Sequence, residues 1–79
     1  HIDLALVDPP RSGCLPRALM ELTALGPRAI VYVSCDPSTL ARDLQLICSD
    51  MYELVAVQPV DMFPFTSHIE CVALCERVR

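Results

Sequence analysis

Apolar residues fall into short runs separated by strong breakers, and the runs alternate between strand-like and helix-like spacing. Residues 3–7 are nearly continuous in apolar side chains after Asp3, the pattern of a strand buried in a parallel sheet. Asp8-Pro9-Pro10-Arg11-Ser12-Gly13 then predicts a loop. A helix is expected over 15–25, with Pro16 in its first turn and Gly26-Pro27 ending it. Its predicted buried face is Leu15, Ala18, Leu19 and Leu22. A second strand, 29–33, is β-branched and apolar and stops at Ser34-Cys35. Asp36 suits a helix N-cap and Pro37 the first helical position. The second helix should bury Leu40, Leu44, Ile47 and Cys48 and expose Arg42, Asp43 and Asp50. A third strand over 52–60, a loop over 61–67 and a fourth strand over 69–76 complete the chain. There is no internal repeat and no low-complexity segment.

Strand–helix–strand–helix–strand units imply parallel strands joined by right-handed crossovers. The connection between the third and fourth strands is too short for a parallel crossover, so the last strand should run antiparallel. The expected fold is therefore α/β: parallel strands plus a final antiparallel strand inserted between the second and third, the C-terminal half of a Rossmann-like methyltransferase fold. The chain has two glycines, Gly13 and Gly26, and no G-x-G-x-x-G. It opens on His1 with a strand pattern already under way. Both features predict that residues 1–79 are the C-terminal part of a catalytic domain, a fragment whose cofactor-loop half lies upstream.

Composition narrows the classes. Hydrophobic residues make up 53 % of the 79 positions, which excludes a disordered tail. No apolar run reaches the length of a membrane span, so a soluble chain with no membrane partner is expected. The net charge is −4, and all six basic residues are arginines. Such a surface does not clamp a polyphosphate by itself, so a nucleic-acid substrate requires electrostatic help from another part of the protein. The five cysteines lack paired spacing, and the two histidines are not placed for zinc; no metal is expected. With no secretory signal, free thiols in a reducing cytoplasm are the simplest account. Cys14, Cys48, Cys71 and Cys75 read as packing residues.

Three motifs should converge on one rim: Asp8-Pro9-Pro10-Arg11 after the first strand, Ser34-Cys35-Asp36-Pro37 after the second, and Asp61-Met62-Phe63-Pro64-Phe65-Thr66-Ser67-His68-Ile69-Glu70 opening the antiparallel last strand. In open α/β sheets, ligands bind outside the carboxyl ends of the strands. Each motif alone is weak. Cys35 alone reads as a buried structural thiol, Asp8 as a loop or helix cap, Arg11 as a surface arginine, His68 as a structural hydrogen-bonder. Ser38 and Thr39 read as servants of the helix N-terminus, and Met62, Phe63 and Phe65 as packing. Together the motifs collect a thiol, two carboxylates and an arginine.

These segments, from Asp8-Pro9-Pro10-Arg11-x-Gly13 through Tyr32-Val33-Ser34-Cys35-Asp36-Pro37-Ser38-Thr39-Leu40-Ala41-Arg42-Asp43 to Asp61-Met62-Phe63-Pro64-x-Thr66-x-His68-Ile69-Glu70, resemble the RNA 5-methyluridine methyltransferases, which use S-adenosylmethionine. One departure is Phe65, where the family often carries His or Tyr. The resemblance implies methylation of carbon 5 of uridine in rRNA or tRNA, with Cys35 as nucleophile, Glu70 as base and Asp8 on the cofactor side. It also implies that the family's N-terminal half, with its cofactor loop and commonly an RNA-binding barrel and an iron–sulfur cluster, is the missing partner. The chemistry suits the residue types. Carbon 5 of uracil becomes nucleophilic once a thiolate adds to carbon 6, and a carboxylate can later remove the carbon 5 proton. The alternatives are an inert half-domain or non-catalytic interaction module of the same fold, and, unsupported by the motif set, a thiol hydrolase using Cys35 and His68. The isolated piece should bind S-adenosylmethionine weakly or not at all. It is also expected to self-associate at the sheet edge formed by its first strand.

Overall fold

The computed structural model describes residues 3–10, 12–60 and 70–78. The elements run β1 (Leu4–Val7), α1 (Pro16–Leu25), β2 (Ala29–Ser34), α2 (Pro37–Ile47), β3 (Tyr52–Val60) and β4 (Glu70–Arg77). The sheet order is β1-β2-β4-β3. β1 pairs parallel with β2, and β4 pairs antiparallel with both β2 and β3. Three strands thus point one way, and β4 is inserted between β2 and β3 against them, as the short β3–β4 connection requires. The expected α/β arrangement is the one observed, with element bounds that differ by a residue.

Local chemistry accounts for the helix limits. Asp36 caps α2: one carboxylate oxygen accepts the N–H groups of Ser38 at 2.9 Å and Thr39 at 3.4 Å, and Pro37 needs no partner at the first position. α1 starts at Pro16 after Leu15, with no side-chain cap. It ends where Gly26 adopts φ 69°, the left-handed conformation that lets its N–H reach the Thr23 carbonyl at 3.0 Å.

Both helices cover one face of the sheet. The core is Leu19 from α1, Ile30 and Tyr32 from β2, Leu40 and Ile47 from α2, Tyr52 from β3 and Ala73 and Cys75 from β4. Burying each large side chain is worth about 1.5–3 kcal/mol. Strand alternation sends the other residues to the opposite face. There Leu4 and Leu6 remain 59 % and 71 % exposed, and none of the described residues covers them.

Two expectations about helix faces fail. Leu15 and Ala18 are exposed; α1 packs through Leu19 and Leu22, because a helix of ten residues resting mainly on α2 buries a narrow stripe. Asp43, expected in solvent, is completely buried. It lies three residues after Leu40 and four before Ile47, squarely on the apolar stripe of α2. Burial of a carboxylate requires donors, and Tyr32, the Cys14 backbone and Arg42 supply them.

Candidate active site

The rim begins at the carboxyl end of β2. Ser34 is 5 % exposed, and its hydroxyl is used twice: it accepts the Asp36 N–H at 3.0 Å and donates to the Asp36 carbonyl at 2.9 Å. This clamp spans Cys35 and holds it on a tight turn between the last strand residue and the helix cap. The Thr39 hydroxyl donates to the same Asp36 carbonyl at 3.1 Å. Ser38 and Thr39 therefore serve the helix N-terminus as expected. Cys35 itself is exposed, the only such thiol of the five, and all five are free.

Sheet register brings the other candidates to this rim. Ser34 pairs with Cys71 in antiparallel register, so one step forward along β2 and one step back along β4 bring Cys35 and Glu70 to the same level. Glu70 is half-buried, and pairs on its other side with Val60. Val7 pairs with Tyr32, so the exposed Asp8 follows at the level of Val33, two residues short of Cys35. Cys35, Glu70 and Asp8 thus come from three adjacent strands, at the edge where an open sheet presents ligand sites. Arg11 and residues 61–69, including His68, Phe63 and Phe65, lie outside the described residues.

The remaining thiols have surroundings that keep them protonated or covered. Burial pushes Cys75 up to about 12, helped by the Cys48 sulfur at 3.8 Å. Burial raises Cys14 as well, and the nearby Asp43 charge adds to it. Cys71 is half-buried against the core. The thiolate is the reactive form, so these environments fit packing roles, as the sequence predicts.

Behind the rim lies a polar cluster that sequence reasoning missed. One Asp43 oxygen accepts the Tyr32 hydroxyl and, at 2.9 Å, the Cys14 N–H. The other accepts two guanidinium nitrogens of Arg42, both at 3.2 Å. Arg42 also donates to the carbonyls of Ser12 at 2.9 Å and Cys14 at 3.4 Å. Burial, reinforced by the Asp43 carboxylate, pushes the Tyr32 phenol far above its ordinary range. Gly13 makes room for this cluster: its φ is 84°, and an added Cβ would lie 2.5 Å from an Arg42 nitrogen and 2.9 Å from an Asp43 oxygen. The signal that could have found the cluster was the helical spacing of Asp43 with Leu40 and Ile47. No group of three or more potential metal ligands occurs among the described residues.

The family model for tRNA (uracil-5-)-methyltransferase matches residues 1–78. An uncharacterised RNA methyltransferase of Caldanaerobacter subterraneus subsp. tengcongensis is 53 % identical over 76 residues, 96 % of this chain and 17 % of that protein. Another, of Oceanobacillus iheyensis, is 56 % identical over 71 residues, 90 % of this chain and 16 % of that protein. Among solved structures, the Pyrococcus abyssi tRNA (uracil-54, C5)-methyltransferase in complex with S-adenosyl-L-homocysteine is 44 % identical, with a TM-score of 0.81 over 92 % of this chain and 18 % of that one. The chain spans only 16–18 % of the length of these relatives. Sequence over nearly every residue and fold over nearly the whole chain agree: this chain belongs to the tRNA (uracil-5-)-methyltransferase family.

Proposed function

We propose that the protein carrying this chain methylates carbon 5 of a uridine in rRNA or tRNA with S-adenosylmethionine. In this reading Cys35 is the nucleophile, Glu70 the base and Asp8 a cofactor-side contact. The observation that carries it is the register across β2 and β4, which sets an exposed, clamped thiol level with a carboxylate at the ligand edge of the sheet. The relatives' names and the S-adenosyl-L-homocysteine in the Pyrococcus structure support the reaction class and the cofactor.

The roles follow from the chemistry. The Cys35 thiolate adds to carbon 6 of uracil, forming an S–C bond and pushing the electron pair toward carbon 5. When bound, S-adenosylmethionine supplies an electrophilic methyl group. Once carbon 5 carries that methyl, Glu70 takes the carbon 5 proton. The freed pair re-forms the ring double bond and expels the Cys35 thiolate. Asp8, an exposed carboxylate at the end of β1, offers negative charge and acceptor oxygens, which suit a cationic, hydroxyl-bearing cofactor. A uridine in paired RNA must leave its stack before the thiol can reach carbon 6. This acidic segment contributes little to gripping phosphates, so the rest of the protein supplies that grip. Five free thiols suit a cytoplasmic protein.

The test is made on the full-length protein. Cys35→Ala should abolish methyl transfer and give no covalent RNA complex. Glu70→Gln should still add its thiol and accept the methyl, then stall, accumulating a retarded protein–RNA band on a denaturing gel. RNA with 5-fluorouridine at the target should trap the unmutated protein through Cys35, because fluorine does not leave as a cation. Turnover in Cys35→Ala, or a fluorouridine adduct mapped to Cys14, Cys48, Cys71 or Cys75, overturns the assignment.

A further inference from the structure

Arg42 occupies a position that the proposed reaction does not use. Its guanidinium fork makes two bonds to the carboxylate of Asp43 and two to backbone carbonyls of the loop after β1, at Ser12 and Cys14. Asp43 takes hold of the same loop through the Cys14 N–H. Upstream, the Gly13 N–H bonds to the Pro10 carbonyl at 2.8 Å and closes a turn that leads directly back to Asp8. The loop is thus tied to α2 by three bonds from two consecutive residues. The absence of a side chain at Gly13 is what allows the approach. α2 is also the helix whose cap lies next to Cys35.

We propose that Arg42 is a positioning residue for the cofactor: seated on the buried Asp43, it fixes the 8–14 loop and so holds Asp8 at the site. This rests on the reading of Asp8 given above. The magnitudes separate this role from a general structural one. The Arg42 side chain is 52 % exposed, so its pairing with Asp43 is screened by solvent and contributes little to overall stability. Asp43 would keep Tyr32 and the Cys14 N–H without it. The loop, in contrast, would lose both carbonyl anchors at once. A Lys at this position could reach one acceptor but lacks the planar fork needed to bridge carboxylate and carbonyls together.

The experiment uses the full-length protein with S-adenosylhomocysteine as the probe in calorimetry, and trapping of 5-fluorouridine RNA at saturating S-adenosylmethionine as the second readout. Arg42→Ala should weaken S-adenosylhomocysteine binding by about tenfold or more, the scale of lost hydrogen bonds to a charged donor. Arg42→Lys should fall between. RNA affinity, and the rate of adduct formation at Cys35 once S-adenosylmethionine saturates, should stay within about twofold of the unmutated protein, since the loop acts through cofactor affinity. Unchanged S-adenosylhomocysteine affinity in Arg42→Ala, or a parallel loss of RNA binding and adduct formation, overturns the proposal. Asp8→Ala, run alongside, separates the two layers. If Asp8→Ala weakens the cofactor and Arg42→Ala does not, the anchoring idea alone fails. If Arg42→Ala weakens it and Asp8→Ala does not, the anchoring stands and the assignment of Asp8 falls.

Discussion

Removing the Asp43 carboxylate should be among the most damaging single changes on α2, and the structure says by how much. Asp43→Ala leaves two donors without an acceptor, the buried Tyr32 hydroxyl and the part-buried Cys14 N–H. Each orphaned group costs about 1–3 kcal/mol. The half-exposed Arg42 regains water and adds little. The sum is about 2–6 kcal/mol. Tyr32→Phe removes a donor instead of an acceptor, and Asp43 retains the Cys14 N–H and Arg42; the loss should be about 1–2 kcal/mol. In the double variant, the ring at position 32 carries no hydroxyl and needs no acceptor. The two changes should therefore cost less together than separately, with a coupling of about 1–3 kcal/mol. Hydrogen exchange with peptide-resolved mass spectrometry suits the full-length protein, because it reads the opening of this unit apart from the rest of the chain. Peptides covering 12–14 and 29–34 carry the signal, and Glu21→Ala, an exposed position, serves as control. A loss below about 1 kcal/mol in Asp43→Ala, or strict additivity in the double variant, would show that the cluster is not the closed hydrogen-bonded unit described here.

Four further outcomes are expected. Tyr32 has a raised pKa in the folded state, so its contribution is complete below about pH 10 and is lost as the pH rises beyond it, when the unfolded chain releases a proton that the fold retains; subtracting the 295 nm titration of Tyr32→Phe should reveal no phenolate from Tyr32 before alkaline unfolding. Alkylation at neutral pH should label Cys35 first and Cys75 only after denaturation, and prior reaction of Cys75 would contradict its burial. Gly13→Ala should destabilise the loop by about 1–2 kcal/mol from backbone strain alone, with more from displacing Arg42, read as faster exchange at the Cys14 amide. The isolated 79-residue chain should sediment as oligomers through the face carrying Leu4 and Leu6, and Leu6→Lys should shift it toward monomer; a monomeric parent chain would sink this.

Much of the architecture was legible in the chain because it rests on local rules. Two-residue and 3.6-residue periods, the Asp36-Pro37 helix start and the Gly26 stop specify elements whose bounds moved by only a residue. The antiparallel last strand followed from loop length alone, and its place between β2 and β3 followed from the fold class. The convergence of Cys35, Glu70 and Asp8 on one rim was readable for the same reason, since strand direction decides which ends share an edge. What the sequence could not settle were questions of partner and depth. Asp43 carries the same charge as Asp50, and only the packing of α2 on Tyr32 and the 12–14 loop decides that one is buried and satisfied while the other is exposed. Leu15 and Leu19 are equally apolar, yet Leu19 enters the core from α1 while Leu15, just ahead of the helix, stays 75 % exposed. Periodicity names a face of a helix; the donors that make a buried carboxylate tolerable come from residues 11 and 29 positions away, and only tertiary structure brings them together.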